Sequence, residues 1–446
     1  GACMTADPGL RALNRFGLGA RAGEHGRFKV KPWLQSQVQP TAVHLARQDL
    51  PNTATIVEEL AEFRRSGGGQ DARKSFRQQG RTLLVREIKA ALNQAVATDF
   101  PFAERLARFW SNHFAISTQG EQLVTYLAGA YEREAIRPHV FGRFEDMVLA
   151  TARHPAMLIY LDQARSFGPN ARATRNNNRG LNENYARELL ELHTVGVKGG
   201  YSQQDVTQLA LILTGWTVGG LYQARNQSST APFRFEARMH EPGTKQFLGR
   251  TWLDAGEKEG REAIALLCRQ PATATFIATK LVRHFVEDDP NPNDVSYIAQ
   301  VFQQSGGDLK AVSLALINLD RAFLGPQRKI RTPQEFLIAS ARALGLRSVD
   351  ENAARVLQQM RHVPWAPLSP AGYSDETYDW ADPDSLLRRA DLAQRIAKMA
   401  RQAAVLQPEK LMESRAPALL SKLLDQQPNA VAKNALILAS PTFQWR

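Results

Sequence analysis

One segment of the chain concentrates side chains that could do chemistry. Residues 182–194 read NENYARELLELHT. On a helix, Asn184, Glu188 and Glu191 occupy positions i, i+4 and i+7, so three oxygen-bearing side chains share one stripe. Paired carboxylates on one face can hold a divalent ion, or one can act as general acid and the other as general base. The segment is therefore the first candidate for a catalytic or metal site.

The same spacing also fits an ordinary surface helix. Glu183, Arg187 and Glu191 stand at i, i+4 and i+8 and can form surface ion pairs. Tyr185 and Leu189 would then belong to the apolar face that packs on the core. Spacing alone leaves both interpretations open.

An enzyme hypothesis assigns roles to this segment and to the loops around it. The predicted catalytic residues are Glu188, Glu191, His193 and Arg187, with the planar guanidinium of Arg187 binding an anionic substrate group. The predicted substrate-binding residues are Arg175, Arg179, Asn182, Asn184, Tyr201, Trp216 and Lys245.

A divalent metal ion is a candidate cofactor. None of the nine histidines has the H-E-x-x-H spacing of zinc peptidases, so a metal site must combine distant segments. We predict His113, Glu188 and His240 as its ligands, with calcium, zinc or iron as the ion. Two carboxylates could also cleave glycosidic bonds without a metal. His113 equally fits a hydrogen-bonded core histidine, while His154 and His284 are interpreted as helix-end and packing residues.

Composition places the chain among globular proteins and favours anionic partners. It has 446 residues, 43% of them hydrophobic, and a formal net charge of +12. Net positive charge attracts polyanions through long-range attraction and counterion release. No apolar window reaches the length of a membrane-spanning helix. An anionic polymer is therefore a candidate partner, whereas nucleic acid is a weaker one because no recognised binding motif accompanies the charge.

The positions of apolar residues predict an all-α fold. Nearly every segment has the 3.6-residue spacing of an amphipathic helix, and almost none alternates as a strand does. Irregular stretches at 162–182, 217–254 and 362–383 predict long loops, and the second of these is where a few short strands are expected. We predict one unit over residues 1–446, with possible helical subregions 1–161 and 183–446 around the loop 162–182.

Several motifs in chain order resemble one bacterial family, catalogued as domain of unknown function number 1800. The resemblance covers nearly the whole chain, and its most specific part is the string at 182–193. The segments that carry it are LNRFGLG at 13–19, FWSNHF at 109–114, HPAML at 154–158 with YLD at 160–162, residues 182–193, LTGW at 213–216, residues 240–249 and RTPQEF at 331–336.

The resemblance implies a location and a partner rather than a reaction. Many members of that family look like exported bacterial proteins with twin-arginine leaders, often encoded beside a second exported family. This sequence shows no such leader, which by itself predicts a cytoplasmic protein; the resemblance implies the periplasm instead. It also implies that the polar helix belongs to the family signature, which favours a functional role for it.

Two classes of function follow. The first is an enzyme of hydrolase or lyase type, with or without a metal ion, acting on an anionic envelope or extracellular polymer. The second is a non-catalytic binding or assembly protein that contacts a polyanion or a partner protein.

Overall fold

The computed structural model describes residues 6–45, 47, 49–175, 179–223, 229–413 and 416–446. Within them the fold is mainly helical, which confirms the predicted all-α class. The helices of the first half are α1 (Pro8–Arg11), α2 (Val30–Ser36), α3 (Thr53–Ser66), α4 (Gln70–Ala97), α5 (Pro101–His113), α6 (Gln122–Tyr131), α7 (Phe144–Ala152), α8 (Pro155–Tyr160), α9 (Asn184–Glu188) and α10 (Gln203–Leu213). Those of the second half are α11 (Glu257–Cys268), α12 (Pro271–Phe285), α13 (Pro292–Gln304), α14 (Leu309–Leu316), α15 (Asp320–Phe323), α16 (Pro333–Ala343), α17 (Asn352–Gln359), α18 (Pro383–Met399), α19 (Pro417–Asp425) and α20 (Ala430–Ala439).

Shorter helical turns join or extend these helices. Three π-helical turns continue α1, α6 and α9, and they are Ala12–Phe16, Glu132–Ile136 and Leu189–His193. The 3-10 turns are Pro40–Val43, Arg137–His139, Gln163–Arg165, Arg172–Thr174, Thr377–Trp380, Pro408–Lys410 and Thr442–Gln444. Two of these lie in the stretch 162–182, which was predicted as a structureless loop. Its Asn176, Asn177 and Asn178 fall outside the described residues.

The strands of the described residues form two small sheets, in the region where short strands were expected. β1 (Trp216–Gly219) pairs antiparallel with β2 (Ala231–Phe235), and β3 (Lys245–Phe247) pairs antiparallel with β4 (Arg250–Trp252). In the first sheet Trp216 lies opposite Phe235, and the register shifts between Thr217 and Gly219.

The helix α16 lies at the centre of the molecule. Every residue from Pro333 to Ala343 is buried, and the helix packs against α4 and α18. Its first turn is set by sequence, because the Thr332 hydroxyl accepts the Glu335 N–H and Pro333 occupies the first helical position, where a missing N–H costs nothing. A helix buried on all sides must pair any charged residue it carries.

The apolar residues form one continuous core that includes side chains from Ala12 to Phe443. The division into helical subregions 1–161 and 183–446 stays a prediction. Among the described residues, no helix combines the length and the apolar character that crossing a bilayer requires.

Candidate functional site

The predicted polar helix changes type in its middle. Residues Asn184–Glu188 are α-helical and Leu189–His193 form a π-helical turn, a feature often found at functional sites. Glu188 and Glu191 are partly exposed, whereas His193 is fully buried. The two carboxylates therefore reach solvent, whereas the histidine that was predicted to act with them does not.

Arg187 is engaged in local contacts. Its Nη2 lies 3.2 Å from Glu183 Oε2, one helical turn away, and its Nη1 donates to Gln203 Oε1 at 3.1 Å. This is the surface ion pair that the i, i+4 spacing also allowed. An anionic substrate would have to compete with Glu183 for this guanidinium.

Glu188 and Glu191 remain a pair of free carboxylates. Neither forms an ion pair with any described residue. Burial, followed by the charge of Glu191, raises the pKa of Glu188 above its ordinary value. Burial, followed by the charge of Glu191, raises the pKa of the Tyr201 phenol. A carboxyl with a raised pKa suits the role of a general acid.

His193 lies inside the core. It is 0% exposed, and its ring contacts the rings of Phe114 and Tyr185. Neither ring nitrogen has a hydrogen-bond partner among the described residues, and burial lowers the pKa of the imidazole to about 3. In this position His193 serves packing, not proton transfer with substrate.

His113 has both ring nitrogens occupied. Its Nε2–H donates to the His193 carbonyl at 3.1 Å, and its Nδ1 accepts from Lys280 Nζ at 2.8 Å. This tautomer is assigned from the partners. Because no lone pair is left for an ion, His113 is a hydrogen-bonded core histidine, which was the alternative interpretation.

The structure does not bring His113, Glu188 and His240 together as one metal site. Among the described residues, His240, Asp254 and Glu259 form a group whose ligand atoms lie within 4.8 Å of one another. Glu259 Oε2 lies 2.7 Å from His240 Nε2 and also accepts the backbone N–H groups of Ala255 and Gly256.

The ammonium group of Lys245 lies beside Glu259 and His240, where a metal ion would have to bind. Its Nζ lies 2.7 Å from Glu259 Oε1 and 3.2 Å from His240 Nε2, and it donates to the Glu241 carbonyl at 2.6 Å. Burial would raise the pKa of Glu259, but hydrogen bonds from His240 and Lys245 outweigh it and lower that pKa. Lys245 is buried and neutralises Glu259, so its predicted role in substrate binding is not supported.

This arrangement predicts that Lys245→Ala creates a zinc site. Removing the ammonium leaves a carboxylate and an imidazole around an unfilled position, and both are good ligands for zinc. We expect the variant to bind Zn²⁺ at least about tenfold more tightly than the unsubstituted protein, ~1.4 kcal/mol. Calorimetric titration measures this, with Lys198→Ala at an exposed position as the control. Tight zinc binding by the unsubstituted protein that is lost in His240→Ala would contradict the assignment.

The remaining predicted substrate-binding residues are dispersed. Trp216 is fully buried in β1, so close to Gly260 of α11 that a Cβ there would lie 2.6 Å from the indole ring. It is a core residue rather than a ligand contact. Arg175, Arg179 and Asn184 are exposed, and Arg179 lies over the Phe167 ring. The side-chain Oδ1 of Asn182 accepts the Asn184 N–H.

A polar cavity lies elsewhere, between α5, α12, α16 and the segment 362–375. Its volume is about 110 Å³. Ionisable side chains from five separate parts of the chain line it, and these are Arg105, Arg108, Glu132, His284, Glu335, His362, Tyr373 and Asp375. Convergent polar groups in a concave site are the usual form of a binding or active site.

Glu335 is the central anion of this cavity. Its Oε2 lies 2.6 Å from Arg446 Nε and 3.2 Å from Arg105 Nη1, and all three side chains are buried. Burial would raise the pKa of Glu335, but the two guanidinium groups hold it well below its ordinary value. Glu335 is therefore ionised and fully paired.

His284 and Asp375 form a second pair in the cavity. His284 Nδ1 donates to Asp375 Oδ2 at 2.8 Å, and Arg105 Nη1, which can only donate, lies 3.2 Å from His284 Nε2. These partners place the proton of a neutral imidazole on Nδ1. Burial lowers the pKa of His284, whereas Asp375 opposes that shift. Burial would raise the pKa of Asp375, but His284 and Lys329 lower it to about 2.

Arg108 and His362 are the donors that the protein leaves open. Among the described residues, Arg108 forms no ion pair and donates only to Gln334 Oε1. His362 Nδ1 accepts the Gln334 N–H at 3.2 Å, so the proton of the ring is on Nε2, which has no partner in the described chain. Burial, followed by the charge of Arg108, lowers the pKa of His362 to about 3 and keeps it neutral.

The segment that covers the cavity is fixed to α5. Asn112 accepts the Tyr373 N–H at 2.8 Å and donates to the Tyr373 carbonyl at 2.9 Å. Gly372 has φ +77°, and a Cβ there would lie 2.5 Å from the Asn112 carbonyl oxygen. Only glycine fits this approach, so residues 372–375 are held in one position.

Comparison with known proteins gives the family. The family model described as protein of unknown function (DUF1800) matches residues 11–445. The chain belongs to this family. It has no significant match among curated proteins, nor among solved structures.

Three of the segments that carry the DUF1800 resemblance meet at the cavity. Arg105 Nε donates to the carbonyl of Gly17 at 2.7 Å, and Gly17 lies in the segment 13–19. Asn112 belongs to the segment 109–114 and Glu335 to the segment 331–336. The polar helix 182–193 was the more conspicuous motif, yet these three build the more enclosed polar site.

Sequence reasoning missed most of the cavity. His284 was interpreted as a packing residue, and Arg105, Arg108, Glu335 and Asp375 were not singled out. The sequence signal that could have found these residues is a charged residue in a helix whose other residues are mostly apolar. Arg105 is an example, because it lies in α5, where 11 of 13 residues are buried. His154, by contrast, does cap α8 as expected, because its Nδ1 accepts the Ala156 N–H at 3.1 Å.

Proposed function

We propose that this DUF1800 protein is an enzyme of hydrolase or lyase type that acts on an anionic polymer, with its active site in the central cavity. One observation carries the proposal. The cavity combines an arginine that lacks a carboxylate partner with a neutral histidine oriented by an aspartate. The first binds negative charge, and the second accepts a proton.

Arg108 and His362 would bind the anionic group. A guanidinium presents its N–H groups in a planar fork that matches carboxylate and phosphate oxygens. The Nε2–H of His362 adds a neutral donor at the same cavity. Both donors would also stabilise negative charge that develops on oxygen during the reaction. Such stabilisation is strongest in a site from which water is excluded.

His284 would act as the general base. Asp375 fixes its tautomer, so the lone pair is on Nε2. In hydrolysis Nε2 would take a proton from water while the water oxygen attacks the substrate carbon; the bond from that carbon to the leaving oxygen then breaks, and the leaving oxygen takes up the proton from Nε2. In elimination it would take a proton from the carbon beside a carboxylate, and the bond to the leaving oxygen breaks as the double bond forms. The Arg105 Nη1 contact at 3.2 Å is at the long end of hydrogen bonds, and the substrate must displace it.

Glu188 and Glu191 offer a second location for the same reaction. They are partly exposed, lie on one helix and have no ion pair among the described residues. A raised pKa at Glu188 suits a general acid. The two locations predict different effects of substitution, because catalysis by Glu188 and Glu191 would not require Arg108.

Cleavage assays on purified polymers test the proposal and separate the two locations. Polygalacturonate, alginate and hyaluronate are the substrates, and new reducing ends and unsaturated products are measured. We expect Arg108→Gln to lower kcat/KM about tenfold to a hundredfold, because a charged hydrogen bond contributes roughly 1.5–3 kcal/mol. Glu188→Gln and the exposed control Arg401→Gln should leave it unchanged.

Other outcomes would overturn parts of the proposal. If Glu188→Gln abolishes cleavage and Arg108→Gln does not, the active site lies on the helix. If folded protein binds these polymers and cleaves none of them, the protein is the non-catalytic binding protein of the alternative hypothesis.

A further inference from the structure

A second cavity lies between α16, α17 and α18, away from the charged groups of the first. Its volume is about 240 Å³. Apolar side chains from the three helices and from the segment 346–349 form its walls, and these are Leu337, Leu346, Val349, Val356, Leu392 and Ile396.

The apolar walls of this cavity are well buried. Leu337 and Ile396 are 2% exposed, Leu392 3% and Val349 4%. A groove that admits an α-helix, about 10 Å across, would leave such side chains open to water. Walls this well covered around a cavity of this size admit a slender chain instead.

The mouth of the cavity is positively charged. Arg395 and Lys398 line it one helical turn apart on α18, beside the exposed Met399. Both cations are exposed, and neither forms an ion pair among the described residues. The carboxylate at the mouth, Asp350, accepts the Asn352 N–H at the start of α17. Asp350 forms no ion pair among the described residues either, so two cations and one carboxylate give the opening a net positive charge.

We propose that this cavity binds one free long-chain carboxylate, a fatty acid, with its alkyl tail among the apolar walls and its head group at Arg395 and Lys398. Apolar cavities stay dry and take up apolar ligands of matching size. The net positive charge at the opening, from Arg395 and Lys398 against Asp350, favours an anionic head group over a neutral or cationic one. A diacyl phospholipid carries two chains and does not fit a single narrow cavity. The binding does not depend on the reaction assigned to the central cavity.

Calorimetric titration with amphiphiles of matched length tests the proposal. We expect decanoate to bind saturably at one site, and decyltrimethylammonium at least about tenfold more weakly because its head group meets Arg395 and Lys398. Affinity should rise about fourfold for each methylene from hexanoate to decanoate. Equal affinity for the anionic and cationic amphiphiles, or binding only to vesicles of anionic phospholipid, would overturn the proposal.

Substitutions locate the site. Ile396→Trp should fill the cavity and abolish decanoate binding, and Leu392→Phe serves the same purpose if the first variant does not fold. Arg395→Glu together with Lys398→Glu should weaken decanoate binding at least about tenfold, whereas Arg401→Glu, near the end of α18 but outside the cavity, should not change it. Unchanged binding in the folded cavity-filling variants would overturn the proposal.

Discussion

Glu335→Gln is expected to lower the free energy of unfolding by roughly 3–5 kcal/mol, the cost of removing one partner from a buried ion pair. Arg105 and Arg446 are both buried against this carboxylate. A neutral glutamine cannot compensate two buried guanidinium charges. Urea denaturation followed by circular dichroism measures the difference.

Glu376→Gln is the matched control for that experiment. Glu376 is an exposed glutamate in the segment beside the cavity. We expect it to change stability by less than about 0.5 kcal/mol, as surface substitutions usually do. A loss below about 1 kcal/mol in Glu335→Gln would show that the two arginines do not depend on this carboxylate.

Stability is expected to fall steeply as the pH drops below about 6.5, before most carboxylates titrate. Burial lowers the pKa of His154, His193 and His362 to about 3 in each case, from an ordinary 6.5. Between these values the unfolded chain binds protons that the folded chain does not, so the stability is complete above pH 6.5 and is lost as the pH falls. Each histidine contributes a slope of ~1.4 kcal/mol per pH unit.

His193→Phe isolates one of these contributions. Neither ring nitrogen of His193 has a partner among the described residues, so the phenyl ring leaves no polar group unpaired. Between pH 6 and pH 4 the variant should lose roughly 3 kcal/mol less stability than the unsubstituted protein. His44→Phe, at an exposed position, should leave the pH dependence unchanged. Parallel stability curves for the protein and His193→Phe would show that His193 is not held neutral.

Local patterns predicted the architecture well. The 3.6-residue apolar spacing predicted the all-α class, and helices such as α3, which spans Thr53–Ser66, account for that spacing. The irregular stretch 217–254 contains nearly all of the two small sheets. The ion pair between Glu183 and Arg187 followed from residues one helical turn apart. These features depend on neighbours in sequence, so the sequence is sufficient to predict them.

The central cavity depends on partners that are distant in sequence. Arg105 and Glu335 are 230 residues apart, and His284 and Asp375 are 91 apart. A single sequence does not show which buried cation meets which buried anion. The rule that charged residues face solvent also misplaces Arg105 and Glu335, because α5 and α16 are buried on nearly all sides.

The predicted metal ligand His240 also has partners that the sequence does not show. A histidine followed by Glu241 in an irregular segment suggested a ligand, and the structure does place a carboxylate beside the imidazole. That carboxylate is Glu259, however, and Lys245 supplies the cation. Lys245 was predicted as a substrate contact. The sequence does not show that the side chain of Lys245, at the start of β3, is buried.

The central claim is that Arg108 binds an anionic group in the polar cavity. Calorimetric titration with glucuronate, on the protein and on Arg108→Gln, tests it most directly. The account predicts saturable binding at one site that is weakened about tenfold to a hundredfold by the substitution, through the loss of a charged hydrogen bond. Glucuronate binding that is unchanged in folded Arg108→Gln, or no binding to the unsubstituted protein, would contradict it.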